Sequence, residues 1–163
     1  MDHGKMLRKL LQEIEDFQRR YGTKLPIKVK LDSDALLPTR AHDADAGYDL
    51  YARETAWIEP NGSYTFDTGV HVAIPQNYVG MVKGKSSLNM NCNTVTEGVV
   101  DSGYTGSIRV KLYNHGASGY YISKGQKIAQ LVFMPIFTPE LEVVDELEAT
   151  ERGDGGFGST GKF

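Results

Sequence analysis

The chain has 163 residues, of which 40% are hydrophobic and 24% are charged, and its net charge is −3 at pH 7. This length fits one compact domain, and this composition excludes wholesale disorder. Because no basic stretch is present, no nucleic-acid partner is expected. The single cysteine, Cys92, cannot form an intrachain disulfide, so a reducing, cytoplasmic location is predicted.

Residues 1–24 are predicted to form an N-terminal amphipathic helix. Apolar residues recur there at steps of three and four, which places them on one helical face: Leu7, Leu10, Leu11, Ile14 and Phe17. Gly22 is a plausible end of the helix. We expect this face to pack on its own domain or on a sister subunit, with binding of a different protein partner as the alternative.

Residues 25–150 are predicted to form an all-β domain. Apolar and charged residues alternate at 27–31 and again at 108–112, which is the pattern of half-buried strands. Turn signals separate these runs at residues 60–62, 75–77, 114–116 and 124–125. Many short strands at this spacing indicate a sandwich or barrel. The longest apolar run, 128–137, is too short to cross a bilayer, so no membrane partner is expected.

Residues 151–163 form a glycine-rich tail that is suited to binding a phosphorylated nucleotide. Glycines allow successive backbone N–H groups to converge on an anion, and Ser159 and Thr160 add hydroxyl donors. Arg152 adds a cation whose planar donors match phosphate oxygens, and Phe157 offers a ring that a base can stack on. The P-loop and dinucleotide-binding patterns both need a strand before the glycines and a helix after them, and neither is expected around this tail, so neither pattern is predicted here.

Four further stretches carry chemistry that could serve one site. They are 44–51, with Asp49 beside a glycine; Lys85-Ser86-Ser87, a cation and two hydroxyls; 98–106, a predicted hairpin that presents Asp101 and Tyr104; and 125–131, with Gln130 in an apolar run. Taken singly, each has an ordinary explanation, such as an aspartate that favours a turn. The four histidines show no metal-ligand spacing.

Together, in this order, the four stretches and the tail resemble the five motifs of trimeric dUTPases. The resemblance implies a jelly-roll-like (β-clip) domain that forms a homotrimer with active sites shared between subunits. It also implies hydrolysis of dUTP to dUMP and pyrophosphate with Mg²⁺, which keeps uracil out of DNA and supplies dUMP.

The resemblance assigns a role to each matching residue. Asp101 matches the general base that activates the attacking water, Tyr104 the ring under the deoxyribose, and Asp49 the carboxylate that holds the metal through water. The remaining residues match substrate contacts. Those to uracil are Gly98, Val99 and Arg109, and those to phosphate or water are Lys85, Ser86, Ser87 and Gln130. The tail that closes the site matches at Arg152, Phe157, Gly158, Ser159 and Thr160.

The sequence departs from the family pattern in its second motif, where Lys85 replaces the usual Arg and Ser87 a frequent Gly. Lys keeps the positive charge but loses the bidentate geometry of Arg. Val95 stands where some members carry Asn. Two alternatives remain open. One is a dCTP deaminase, although no carboxylate lies among residues 83–91. The other is a dUTPase-like regulator, such as one encoded by a phage, that binds a protein partner.

Overall fold

The computed structural model describes residues 4–6, 8–9, 11–13, 16, 26–92 and 94–156, the side chain of Val95 excepted. All the described residues before residue 26 are helical, while most of the predicted apolar face of this helix lies outside the described residues. Within the described part of the chain, no helix has the length and apolar character needed to cross a membrane.

The rest of the described chain is built mainly from antiparallel strands, which confirms the predicted all-β class. The strands are β1 (Lys28–Leu31), β2 (Gly47–Tyr51), β3 (Ala56–Ile58), β4 (Ser63–Asp67), β5 (Val70–Ala73), β6 (Tyr78–Gly84), β7 (Thr94–Val95), β8 (Glu97–Val100), β9 (Arg109–Asn114), β10 (Tyr120–Ile122) and β11 (Lys127–Pro135). Every described strand lies within the predicted β-domain, and none follows Pro135. The exact division into 1–24, 25–150 and 151–163 stays a prediction.

The strands form four small sheets around one core. The largest sheet has the order β2-β11-β6-β8, and the others are β4-β9-β7, β1-β5 and β3-β10. Phe66, Leu50, Ile58, Val110 and Leu131 are almost completely buried between them. Burial of this apolar surface, at roughly 25 cal/mol per Å², is the main force that holds the sheets together.

The alternating pattern at residues 108–112 predicts the packing of β9 correctly. Val110 and Leu112 are buried, whereas Arg109 and Lys111 point to solvent. The turn signals are confirmed as well, since Asn61 at the first turn adopts a positive φ of 56°. The alternating pattern predicts burial less well in β1, where Val29 remains 40% exposed in the single chain.

Two local predictions differ from the structure. Residues 98–106 do not close a hairpin, because β8 pairs with β6 while β9 pairs with β4 and β7 in a different sheet. In addition, a short helix, Ser86–Cys92, follows β6 directly and was not predicted. It begins where the Lys85 carbonyl accepts hydrogen bonds from the Leu88 and Asn89 amides, and Leu88 is its buried residue.

Asn114 and Thr94 are cross-strand partners in buried positions, but their polar atoms are satisfied differently. The Asn114 side-chain amide donates to the carbonyls of Ile58, Glu59 and Ser118, at 3.2, 3.1 and 2.9 Å. Its oxygen accepts from the amide of residue 116. In contrast, the hydroxyl of Thr94 is buried without a hydrogen-bond partner among the described residues.

We therefore expect Asn114→Ala to lower the free energy of unfolding by at least about 2 kcal/mol, since a buried carbonyl left without a donor costs about 1–3 kcal/mol. The Glu59 carbonyl keeps its bond from the Gly62 amide, so the loss falls on Ile58 and Ser118. Thr94→Val should stay within about 1 kcal/mol of the wild type or stabilise it, because it removes an unpartnered hydroxyl. Urea unfolding of the three proteins at one fixed protein concentration measures both values. Equal losses in the two variants would contradict this assignment.

Candidate functional site

A pocket of about 240 Å³ lies where β6, β8 and β9 meet. Five of the predicted site residues line it: Gly98, Val99, Asp101, Tyr104 and Arg109. Val82, Val100 and Ile108 complete its wall, so the pocket has an apolar interior with a carboxylate and a guanidinium at its margin. This combination of an apolar cavity with a few placed polar groups is typical of a small-molecule site.

One wall of the pocket is β8, which lies at the edge of its sheet. β8 pairs with β6 on one side, and no described strand pairs with its other side. An edge strand directs every second N–H and C=O group outward, where these groups can bond to something other than protein. Gly98 adds no side chain to this wall, so a flat ligand can approach the backbone closely.

The turn that follows β8 carries Asp101 and Tyr104 from one sheet to the next. Its backbone is closed by a hydrogen bond of 3.2 Å from the Tyr104 amide to the Asp101 carbonyl, and Gly103 supplies a φ of 89°. The Tyr104 hydroxyl donates to the Ser107 carbonyl at 3.0 Å. A side chain on Gly106 would overlap the Tyr104 hydroxyl, so glycine is required there for the ring to take this position.

The end of this turn is fixed to the strand β4. The Ser107 hydroxyl donates to the carboxylate of Asp67, which also accepts a hydrogen bond of 3.0 Å from the Gly69 amide. These two bonds, with the hydroxyl bond the stronger contributor, hold the pKa of Asp67 below its ordinary value of 3.8. Asp67 is therefore ionised in its role as an anchor.

A second group of predicted residues gathers around Asp49 on β2. Its carboxylate, which is 13% exposed, accepts from Lys85 at 3.2 Å and from Lys127 at 2.6 Å. Burial raises the pKa of Asp49, but the hydrogen bonds from the two lysines outweigh it, so the net pKa is lowered. Lys127 was not among the predicted site residues. It can be identified only from the register of β11 against β2, in which it is the cross-strand partner of Tyr51.

Gln130 joins this group because β11 is the strand next to β2. It is the cross-strand partner of both Asp49 and Lys83, and its amide donates to the Gly84 carbonyl at 3.2 Å. Gln130 is not on an edge strand, since β11 lies between β2 and β6. Ser86 and Ser87 are exposed in the first turn of the short helix, directly after Lys85.

The pocket and the Asp49 group lie apart within one chain. Asp49, Gln130, Lys83 and Glu97 form one cross-strand row, and Val100, next to Asp101, lies three residues further along β8. With ~3.3 Å per residue and ~4.8 Å per strand, roughly 17 Å separates Val100 from Asp49. Two such groups of one subunit do not meet at a single phosphorus atom.

The tail is described only up to residue 156. Arg152 donates a hydrogen bond of 2.9 Å to the Gly155 carbonyl, and the structure shows no contact between Arg152 and the pocket. Phe157, Gly158, Ser159 and Thr160 lie outside the described residues. Among the residues that are described, no group of three or more His, Cys, Asp or Glu could hold a metal ion.

A family model described as dUTPase matches residues 33–161 of the chain. The chain belongs to the dUTPase family. Among curated dUTPases, the deoxyuridine 5'-triphosphate nucleotidohydrolase of Clostridium tetani is 42% identical over 144 residues, which cover 86% of this chain and 99% of the relative. The protein of the same name from Yarrowia lipolytica is 40% identical and covers 80% and 85%.

Solved dUTPases share the fold. The dUTPase of Staphylococcus bacteriophage 80alpha with dUPNHPP has a TM-score of 0.79 and 35% identity, over 83% of this chain and 98% of that chain; its structure is described as that of a phage dUTPase that controls transfer of virulence genes. A dUTPase variant from phage phi11 of S. aureus, described with a structural Mg(II) ion, has a TM-score of 0.72 and 31% identity over 77% and 100%.

The anchor at Asp67 predicts a pH dependence of stability. Because the pKa of Asp67 is lower in the folded protein, its stabilising contribution is fully present above the unfolded value of 3.8 and is lost as the pH falls through the folded value. The difference in unfolding free energy between the wild type and Asp67→Asn should therefore be constant at neutral pH and shrink below about pH 4. Urea unfolding between pH 3 and pH 7 measures it, with Asp43→Asn in an exposed loop as the control. A difference that grows on acidification would contradict this role.

Proposed function

We propose that this chain hydrolyses dUTP to dUMP and pyrophosphate, with the nucleoside in the pocket beside β8. The observation that carries the proposal is that Gly98, Val99, Asp101, Tyr104 and Arg109, which are separated in sequence, line one pocket in a member of the dUTPase family. This pocket combines an apolar interior, a free strand edge, an aromatic ring and a carboxylate. A pyrimidine nucleotide requires each of these features.

The edge of β8 accounts for recognition of uracil. Uracil presents two carbonyl acceptors on either side of an N–H donor, and an outward-facing strand edge offers backbone donors and acceptors at a comparable spacing. Gly98 lets the base approach the backbone, and Val99, which is 63% exposed, flanks it. A methyl group on the base would meet this wall, which explains how thymine is excluded.

Asp101 and Tyr104 divide the chemistry at the pocket margin. The Asp101 carboxylate is exposed and takes the proton of the water that attacks the α-phosphorus, which releases pyrophosphate from dUMP. The ring of Tyr104, held by the bond of its hydroxyl to Ser107, lies under the deoxyribose and leaves no room for a 2′-hydroxyl. Turnover thus depends on Asp101, and the choice of deoxyribose over ribose depends on Tyr104.

The Asp49 group fits a magnesium ion that arrives with the triphosphate. Mg²⁺ keeps several waters and is held by one or two carboxylates and substrate phosphates, so a dense set of protein ligands is not required. Asp49 would hold it through water, while Lys85, Ser86, Ser87 and Gln130 contact phosphate oxygens or water. When bound, the ion neutralises the charge of the triphosphate.

The separation of the two groups supports a site shared between the subunits of a homotrimer. The pocket of one subunit would face the Asp49 group of a neighbour, since roughly 17 Å separates them within one chain. Exposed apolar residues after β11 also favour assembly, because Phe137, Leu141, Val143 and Leu147 are each at least 88% exposed in the single chain. The tail, with Arg152, Phe157, Gly158, Ser159 and Thr160, would close a neighbour's site.

The two alternatives that the sequence left open, a dCTP deaminase and a regulatory protein, are no longer equally well supported. The relatives described above are all dUTPases, which favours hydrolysis over deamination. A regulatory role beside catalysis is favoured by the likeness to the bacteriophage 80alpha protein, which is described as controlling transfer of virulence genes. A protein partner bound through the N-terminal helix and a cytoplasmic location both stay predictions.

Asp101→Asn should leave binding of a non-hydrolysable dUTP analogue within about threefold of the wild type while turnover falls by roughly 10²–10⁴, the usual contribution of a general base. Calorimetry measures the binding, and pyrophosphate release measures the turnover. Glu97→Gln, on the strand β8 that leads into the turn with Asp101, is the matched control and should turn over dUTP normally. Near-normal turnover of Asp101→Asn would remove Asp101 from the mechanism.

Subunit mixing tests the shared site. A chain truncated before Glu151 keeps every described strand, so it should fold and assemble but lose activity. Mixed trimers of this chain with full-length Asp101→Asn chains should regain activity, because an intact Asp101 then faces a neighbour's intact tail. Mixed trimers of verified composition that stay inactive would contradict the shared site.

A further inference from the structure

His71 lies on β5 and reaches the turn that carries Asp101 and Tyr104. Its Nδ1 atom is 2.8 Å from the carbonyl oxygen of Thr105, and its side chain is only 19% exposed. A carbonyl oxygen only accepts hydrogen bonds, so Nδ1 must carry a proton and donate it. This bond holds the backbone one residue beyond Tyr104.

The other nitrogen of the ring is held by a carboxylate. Nε2 of His71 lies 3.2 Å from Asp32 Oδ1, on the loop after β1. The second oxygen of Asp32 accepts from Arg53 at 3.3 Å, and Arg53 also binds Asp34. Asp32 therefore fixes the plane of the imidazole so that Nδ1 points at Thr105, as outer carboxylates do for other functional histidines.

Arg53 joins the two attachments of the turn. The first attachment is the chain of contacts from Thr105 through His71 and Asp32 to Arg53. The second is the chain from Ser107 through Asp67, whose carboxylate lies 3.7 Å from the Arg53 guanidinium. Asp32, Asp34 and Asp67 thus share one arginine, and Lys124 lies 4.0 Å from Asp34 at the rim of the cluster.

We infer that His71 is a positioning residue for the nucleotide pocket: through the Thr105 carbonyl it holds the turn 101–107 so that Asp101 and Tyr104 keep their places. The inference deepens the proposed hydrolysis of dUTP and rests on it for its effect on turnover. No strand ladder holds the turn, since β8 and β9 pair in different sheets. Side-chain bonds therefore tie the turn itself to the neighbouring strands, from His71 to Thr105 and from Ser107 to Asp67, and backbone bonds to Thr68 and Val70 resume at Ile108.

Two substitutions separate the two nitrogens of the ring. The amide of Asn reaches approximately the position of Nδ1, so His71→Asn keeps a donor toward Thr105. The longer Gln reaches approximately the position of Nε2, so His71→Gln keeps only the contact with Asp32. His71→Ala removes both contacts. The control is Lys30→Ala, because Lys30 is the cross-strand partner of His71 and lines the same small cavity as His71 and Thr105.

For His71→Ala and His71→Gln we expect kcat for dUTP to fall by about 10- to 100-fold, the effect of a displacement of about 1 Å at a reacting group. The preference for dUTP over UTP should narrow with it, because Tyr104 shifts too. His71→Asn and Lys30→Ala should stay within about threefold of the wild type. A merely structural role would not distinguish Asn from Gln in this way.

Hydrogen exchange gives a measurement that does not depend on turnover. The amides of residues 101–107 should exchange about fivefold faster in the Ala and Gln variants, as expected when one hydrogen bond is lost, but not in the Asn variant. If the wild type does not hydrolyse dUTP, the proposed function fails, and exchange alone decides the role of His71. Three outcomes would overturn the inference. One is unchanged exchange in a folded His71→Ala variant. The others are wild-type exchange rates in His71→Gln but not in His71→Asn, or in neither of these two variants. If His71→Ala does not fold, the comparison of Asn with Gln carries the test.

Discussion

The chain has to cross from one sheet to another between Asp101 and Ser107, and the nucleotide pocket depends on how this crossing is held. In a hairpin, the hydrogen bonds of the flanking strands would fix the turn. Here β8 pairs with β6 and β9 pairs with β4 and β7, so the ladder ends before the turn begins. Side chains of β4 and β5 take over this task. They are polar, because the groups they hold are a backbone carbonyl and a hydroxyl.

The same separation of sheets leaves β8 with a free edge. An unpaired strand edge is a risk for aggregation, and proteins usually cover or charge it. In this family member the edge forms part of a ligand pocket, and Lys83 and Glu97 form an ion pair at its start. The feature that would favour misassembly in another protein thus provides the backbone groups that are proposed to recognise a base.

The position of β11 between β2 and β6 brings the proposed phosphate-binding residues together from distant parts of the chain. Asp49, Gln130 and Lys83 share one row although about 80 positions separate the first from the second. A slip of one residue in β11 would turn Gln130 to the opposite face and Leu131 out of the core. The apolar residues on either side of Gln130 therefore fix its place as firmly as its own hydrogen bond does.

Much of the fold could be predicted from local pattern, as the burial of Val110 and Leu112 and the turn at Asn61 demonstrate. Those signals are local, and they depend only on neighbours in sequence. The predicted hairpin was wrong because strand pairing is a long-range property, and alternation in β8 and β9 does not say which partner each strand has. The short helix at residue 86 was missed because its seven residues contain one buried side chain, too few to show a helical period.

The candidate site is predicted mainly from the resemblance of five motifs to one family, and less from the chemistry of any one motif. Asp101 alone would have been taken as a turn former. Lys127 and His71 carry no such motif, and only the register of β11 against β2 and the path of the turn reveal what they contact. Candidate ligand-binding residues thus stand out in the sequence more readily than residues that hold other residues in place.

Gly106 connects the shape of the turn to the evolution of substrate range. Any side chain there would overlap the Tyr104 hydroxyl, so the ring would have to swing outward although the tyrosine itself is unchanged. Under the proposed role of Tyr104, a single mutation at a residue that does not line the pocket would then be enough to loosen the choice of sugar. Selection for deoxyribose would act on the glycine as well as on the tyrosine.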